Sequence, residues 1–360
     1  MKARHLVSGS QNLTASISKS NRMSQLVEID HLEVFVIVDN EVDPISSYKV
    51  PGLTVGGQLA DVAVRAPLQH AERGGAGFEI RMDNLCCGAH GLSLMITATK
   101  GDKRRTMLFD TAPEDHIWEL NARRLEADIG SVELVQLSHW HRDHSGGMLK
   151  AISMINEARP SASPVVVDLH PDRPHYRGFQ GPAGPVSLEA DPTFAEIEAA
   201  GATVVKNDKP HTVLDDMFLV SGEIPRVTSY EVGFKRGMRF NQDTGSWESD
   251  ELILDERFLM CNVTGKGLVV FTGCSHAGVV NVAKHALQLG GNTKLHAVIG
   301  GYHLVGPNEG WIKETVADLN DLNPDILMPG HCSGWRAKVE IERMMPGKLA
   351  PSTVGTKFSF

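Results

Sequence analysis

The chain has 360 residues, of which 41% are hydrophobic and 22% charged, and this composition suits one large domain or two smaller ones around a sizeable core. The formal net charge of −9 at pH 7 disfavours nucleic acid as a partner, because no overall positive field holds a phosphate backbone. No stretch approaches 18 consecutive apolar residues, so a membrane partner is not expected either.

The first segment, residues 1–27, has four basic residues, no acidic residue and many Ser, Asn and Thr. We expect it to lie outside the fold as a disordered tail or a targeting peptide, followed by a single domain at residues 28–360. Five cysteines without CxxC spacing argue against a disulfide framework. A cytoplasmic location is therefore expected, with organellar targeting as the alternative.

Short apolar runs then alternate with amphipathic stretches along most of the chain. The runs predict strands at residues 34–38, 92–98, 106–110, 132–138, 164–169, 217–222, 267–273, 295–301 and 325–331. Helical periodicity predicts helices at residues 115–129, 146–158, 192–201, 277–290 and 310–322. The turn KGDKRR at 100–105 predicts a hairpin. Such alternation is typical of an α/β layered fold with buried sheets, and the Gly- and Pro-rich stretches 41–90 and 171–215 are expected as loop insertions over a site.

The stretch LSHWHRDHSGG, residues 137–147, connects a predicted strand to a predicted helix. It places His139, His141, Asp143 and His144 in a loop at the carboxyl end of a strand, where α/β proteins bind ligands. Imidazole and carboxylate groups together suit zinc, iron or manganese, and spare coordination positions are typical of catalytic sites. The loop therefore predicts a metal site with room for two ions.

Four further strand ends carry groups that can bind metals. TGCSHAG supplies Cys274 and His276, GGYHL supplies His303, PGHCSG supplies His331 and Cys332, and LFDT supplies Asp110, a carboxylate suited to orient a ligand imidazole. Converging at one edge of the sheets, these loops would complete a dinuclear centre.

These motifs, in this order, resemble those of the metallo-β-lactamase superfamily, and TGCSHAGVVN, GGYHL and GHCSG resemble more particularly the dihydropterin-ribofuranosylaminobenzene phosphate synthase branch. The resemblance implies an αββα sandwich with two divalent transition metals, zinc first and iron or manganese as alternatives. It implies that His139 and His141 bind the first metal, and that Asp143, His144 and His331 bind the second.

Two departures from the superfamily pattern leave the third ligand of the first metal open. GC stands where most members have the GD of a bridging aspartate, and SGEIPR offers Glu223 where they have a histidine. His276 is the first candidate, Cys274 the second and Glu223 the third. A mononuclear site is the alternative to a metal pair.

The expected function is that of a metal-dependent enzyme acting on an anionic, phosphorylated heterocyclic small molecule. Asp143 and His303 are the candidate catalytic residues. Arg226 and the amides near Gly301 are candidate anion contacts, and Trp140 and Tyr302 are candidates for stacking on a substrate ring. The alternatives are a general metallo-hydrolase of a lactone, ester or phosphodiester, and a non-catalytic metal-binding sensor. The motifs do not indicate an oligomeric state.

Overall fold

The computed structural model describes residues 26–68 and 73–360. Of the predicted tail at residues 1–27, residues 1–25 lie outside the described part of the chain. Its last two residues, Leu26 and Val27, pack against apolar core residues. No helix in the described part of the chain is long and apolar enough to cross a membrane.

Two large sheets dominate the described residues. One has eight strands, in the spatial order Thr203–Lys206, Val166–Leu169, Val132–Gln136, Lys103–Phe109, Ser93–Lys100, His31–Val38, Lys357–Ser359 and Thr54–Gly56. The other has seven, in the order His211–Val213, Phe218–Val220, Leu259–Val263, Gly267–Thr272, Leu295–Gly301 and Ile326–Gly330, with Glu28–Ile29 paired to Leu259–Val263.

The two sheets pack face to face over the central core. Alternate residues of each strand point to this layer, among them Val36 and Leu94 from one sheet and Val269 and Ile299 from the other, all fully buried. Burying each such side chain contributes about 1.5–3 kcal/mol. Alternation therefore decides which side chains fill the space between the sheets.

Helices cover the outer face of each sheet. The eight-stranded sheet carries Asp115–Arg124, Met148–Ala158 and Phe194–Ala199, and the seven-stranded sheet carries Val279–Leu289, Ile312–Leu322 and Trp335–Met344. The remaining helical segments are short: Leu59–Ala63, Met82–Asn84, Ile129–Ser131, Arg142–Ser145, Gly306–Trp311 and His331–Ser333. The layers are thus helix, sheet, sheet and helix, as the motifs implied.

All nine predicted strands and all five predicted helices overlap elements of the structure, and the predicted hairpin joins Ser93–Lys100 to Lys103–Phe109. Residues 171–215, expected as an insertion or a loop, contain strands and a helix as well as loops. Tyr176–Gly181 and Gly184–Ser187 pair with two later strands, Gly237–Asn241 and Ser246–Ser249, in a separate four-stranded sheet. Sequence patterns missed it because these strands expose much of their surface and lack a clear apolar alternation.

Candidate metal centre

The predicted donor residues meet at one edge of the two large sheets. Parallel strands in each sheet end at this edge, including Val132–Gln136 in one sheet and Gly267–Thr272, Leu295–Gly301 and Ile326–Gly330 in the other. The loops that follow these strands carry His139, His141, Asp143, His144, Cys274, His276, His303, His331 and Cys332.

A first donor group forms around His139. Its Nε2 atom lies 2.9 Å from Nδ1 of His141, and that Nδ1 lies 3.2 Å from Nε2 of His276. Donor atoms of His139, Cys274 and His276 all lie within 4.8 Å of one another. The structure therefore brings His276 and Cys274, the first two candidates for the third ligand, to the same place.

A second donor group surrounds the other side of Cys274. Its Sγ atom lies 3.2 Å from Nε2 of His144 and 3.2 Å from Nε2 of His331. Oδ2 of Asp143 lies 3.3 Å from Nε2 of His331 and 3.8 Å from Nε2 of His144. Cys274 thus lies between the two groups, where the superfamily pattern has a bridging aspartate.

The third candidate, Glu223, is not part of either group. Glu223 is exposed to solvent. It follows Gly222, whose φ of 66° turns the chain just after the strand Phe218–Val220. Glu223 lies three residues past the strand end, and its carboxylate is not part of any cluster of possible metal donors among the described residues.

Asp110 fixes the protonation of two imidazoles, as expected for an orienting carboxylate. Its Oδ2 atom accepts hydrogen bonds from Ser138 Oγ (2.7 Å) and from Nδ1 of His144 (2.6 Å). Because Ser138 donates its only hydroxyl proton to Asp110, its oxygen accepts from Nδ1 of His139 at 3.0 Å. Both Nε2 atoms are left with free lone pairs, which is the state that a metal requires.

Asn40 and Asp39, which the sequence analysis did not identify, hold His331 in position. Asn40 Oδ1 accepts from Nδ1 of His331 at 3.1 Å, and Asp39 Oδ1 accepts from the His331 backbone N–H at 2.7 Å. Both residues directly follow the strand His31–Val38, so the sequence VIVDN has the same strand-end pattern as the recognised motifs. That pattern could have identified them.

The protonation states of the donors suit a cation. Burial lowers the pKa of His139 and His276, and burial with the nearby Arg177 guanidinium lowers the pKa of His141 to about 3. Burial opposes ionisation of Asp143, but the neighbouring His144 and His331 hold its pKa well below 3.8. Neutral imidazoles at His139, His141 and His276 and an ionised carboxylate at Asp143 are donors that divalent transition metals bind. Burial opposes protonation of His144 and His331, but Asp110 raises the pKa of His144 and Cys332 raises that of His331, so a bound cation competes with protons at these two imidazoles.

Backbone strain accompanies the donor loops. Non-glycine residues adopt left-handed conformations at Asp110 (φ 60°), Ser275 (60°), His303 (47°) and His331 (44°). Such conformations cost on the order of 1 kcal/mol or more and persist where the surrounding structure enforces them, often at ligand sites. Close packing adds a constraint at Gly273, where a Cβ would lie 2.3 Å from Ser138 Oγ.

A cleft of about 840 Å³ opens over the donor groups. Its polar wall includes Arg142, which lies between His141 and Asp143 in the sequence. Its apolar lining includes Phe179, from the four-stranded sheet, and Phe234, whose ring centroid lies 6.4 Å from that of His276 and 6.3 Å from that of His303. A cleft of this volume accommodates a small organic molecule.

The structure corrects three predicted substrate contacts. Trp140 is fully buried and donates its indole N–H to the carbonyl of His170, and Tyr302 is buried with its hydroxyl donating to the carbonyl of Val298. Neither ring is free to stack on a ligand. Arg226 donates to the carbonyl of Leu252 and does not line the cleft. Periodicity could not tell these packing residues from cleft residues.

The role of Asp110 can be tested by substitution. Asp110→Asn is expected to weaken metal affinity about 10- to 100-fold, because the amide cannot accept hydrogen bonds at both of its terminal atoms. Competition with a chelator of known affinity measures the effect. Asp115→Asn, an exposed carboxylate at the cleft rim, is the matched control and should bind metal as the unmodified protein does. Equal affinity in both variants would refute the role.

No protein-family model matches the chain. The 7,8-dihydropterin-6-methyl-4-(β-D-ribofuranosyl)-aminobenzene-5'-phosphate synthase of Methanocaldococcus jannaschii is 28% identical over 272 residues, which cover 72% of this chain and 89% of the synthase. MJ0448, an uncharacterized protein of the same organism, is 26% identical over 261 residues, which cover 71% of this chain and 88% of that protein. The resemblance of the motifs to the synthase branch is thereby confirmed.

Among solved structures, Tm1679, a metal-dependent hydrolase of the β-lactamase superfamily, matches with a TM-score of 0.61 and 22% identity. The match covers 91% of this chain and 98% of Tm1679. At this identity the likeness shows the fold. The chain has the metallo-β-lactamase fold, as its motifs implied.

Proposed function

We propose that this protein is a metal-dependent enzyme that acts on an anionic, phosphorylated heterocyclic small molecule. The observation that carries the proposal is the convergence of two donor groups at the floor of an 840 Å³ cleft with an aromatic lining. The similarity to a synthase whose name includes a dihydropterin and a phosphate supports this substrate class.

In this proposal two divalent transition metals occupy the donor groups. His139, His141 and His276 hold one ion, Asp143, His144 and His331 hold the other, and Cys274 lies between them. Nitrogen donors with one sulfur favour zinc, and iron and manganese remain alternatives. When bound, such ions supply Lewis acidity that withdraws negative charge from a phosphate group.

The protein's own groups then bind and orient the substrate. Arg142 lies in the cleft wall, where its guanidinium pairs with Glu189 at 3.1 Å and offers positive charge to a phosphate. Asp143, with 23% of its side chain exposed, is placed to accept a proton from an attacking amine or water. His303, also in the lining, is placed to donate a hydrogen bond to an anionic oxygen.

Phe179 and Phe234 are the proposed contacts for the heterocycle, in place of the two buried rings. Replacing either by Leu is expected to raise KM about 2- to 10-fold with little change in kcat, because one aromatic contact contributes about 0.5–1.5 kcal/mol. Phe240→Leu, on the same four-stranded sheet but outside the cleft lining, is the control. A larger effect in Phe240→Leu than in both cleft variants would contradict this assignment.

The substrate class is tested with a panel of pterin phosphates, cyclic phosphodiesters, acyl lactones and β-lactams, each assayed with metal-loaded and chelator-treated protein. A phosphorylated candidate is expected to turn over fastest, and chelation is expected to abolish that turnover. Faster turnover of a lactone or β-lactam would replace the proposal by a general metallo-hydrolase. Binding of a phosphorylated pterin with no turnover of any compound would indicate a sensor.

A further inference from the structure

Cys332 and His303 line the cleft and can bind a metal, but neither is a ligand of the two proposed ions. Cys332 directly follows His331, and His303 lies on the neighbouring loop. Donor atoms of Cys274, His303 and Cys332 all lie within 4.8 Å of one another. The three side chains therefore form a third group of possible metal ligands, which shares Cys274 with the other two.

The surroundings of this group favour a ligand there. Cys332 is 7% exposed, and its thiol contacts the carbonyl of Cys274 at 3.6 Å. Nδ1 of His303 is buried and has no hydrogen-bond partner among the described residues. A buried polar atom without a partner costs about 1–3 kcal/mol, so a ligand that engages Nδ1 of His303 would relieve an existing penalty.

All three side chains also line the cleft, which gives an ion a path from solvent. Their chemistry differs from that of the neighbouring groups, because two sulfurs and one nitrogen replace a donor set rich in imidazole and carboxylate. Sulfur-rich sets select soft ions such as Zn²⁺ and Cu⁺ over harder ones such as Mn²⁺.

We propose that Cys274, His303 and Cys332 form an additional, thiolate-rich metal position that takes a thiophilic ion. Because Cys274 Sγ also lies 3.2 Å from the imidazoles of His144 and His331, an ion at this position shares its sulfur with the neighbouring centre. An ion at this position also binds the imidazole of His303. Excess thiophilic metal therefore competes with the substrate for His303, a consequence that rests on the proposed function.

The position is tested without substrate, so its failure is distinct from failure of the proposed function. Co²⁺ is titrated into metal-free protein while sulfur-to-cobalt charge-transfer absorption is recorded. The unmodified protein is expected to show a component of this absorption that disappears in Cys332→Ser and weakens in His303→Gln. Cys86→Ser removes a half-buried thiol bonded to the carbonyl of Val354, outside the cleft lining, and should keep that component.

A second measurement uses the unmodified protein, so that it does not depend on folding of a variant. Alkylation of Cys332 by iodoacetamide, followed by peptide mass spectrometry, is compared in metal-free protein that has received two and then three equivalents of Cd²⁺. Protection of Cys332 by Cd²⁺ supports the position. Identical Co²⁺ absorption in unmodified protein and Cys332→Ser, or unchanged alkylation, would overturn it.

Discussion

Replacing Cys274 by Ala is expected to release both proposed metals, whereas His276→Ala should release one. The Cys274 sulfur is within 3.2 Å of imidazoles in the second donor group and belongs to the first group as well. The sequence alone ranked His276 before Cys274, but only Cys274 lies between the groups. Since removal of an orienting neighbour already weakens metal binding 10- to 100-fold, loss of a shared ligand should cost more than about 100-fold.

Elemental analysis of the purified variants measures this difference. Cys261→Ala is the matched control, because Cys261 is a fully buried thiol in the core between the sheets. That control should lose some stability through its cavity and retain its metal. Full metal content in Cys274→Ala would show that the sulfur is not a ligand, and greater loss in His276→Ala would restore the order that the sequence favoured.

Asp255→Ala is expected to destabilise the fold by up to about 3–5 kcal/mol, because it removes one of the two carboxylates that pair with the buried Arg177 and leaves only Asp250, 2.7 Å from Nε. Arg177 Nη2 donates to Asp255 Oδ1 at 2.6 Å, and the side chains are 3% and 1% exposed. The same pair holds the donor loop: Asp255 Oδ2 accepts from the Trp140 N–H at 2.8 Å, and Arg177 donates to the Trp140 carbonyl at 2.8 Å. Metal affinity should therefore fall with stability.

Urea unfolding of metal-free protein measures the free energy of unfolding. Asp172→Ala is the matched control, because Asp172 forms a two-bond pair with Arg239 but half of its side chain is exposed. Exposed pairs contribute about 0–1 kcal/mol, so this variant should be nearly as stable as the unmodified protein. Similar losses in the two variants would contradict the role of burial.

The same ion pair predicts a dependence of stability on pH. Burial alone would raise the pKa of Asp255, but Arg177 and the Trp140 N–H lower it to about 2, below the 3.8 of an unperturbed aspartate. A depressed pKa stabilises the folded state above pH 3.8, and this contribution is lost as the pH falls through about 2. Asp255→Ala should therefore show a shallower loss of stability between about pH 4 and pH 2, measured by unfolding at each pH. An unchanged slope would contradict the assignment.

The sequence by itself determined the layers of the fold and the location of the candidate site. Apolar alternation and helical periodicity are local properties, and each strand or helix that they predicted exists in the structure. The loop that carries His139 to His144 was identified for the same reason, since its donors are close in sequence and follow a recognisable strand. The later motifs around Cys274 and His331 needed only the rule that parallel strands end at one edge.

Only the tertiary structure decided which side chains meet across the chain. Asn40 reaches His331 over a separation of 291 residues, and Asp255 reaches Trp140 over 115. Sheet pairing and packing fix these contacts, and no local pattern encodes them. The same reason explains why Trp140 looked like a cleft residue and Phe234 was overlooked: an aromatic side chain has the same sequence signal in a core and at a cleft, and only packing places it in one or the other.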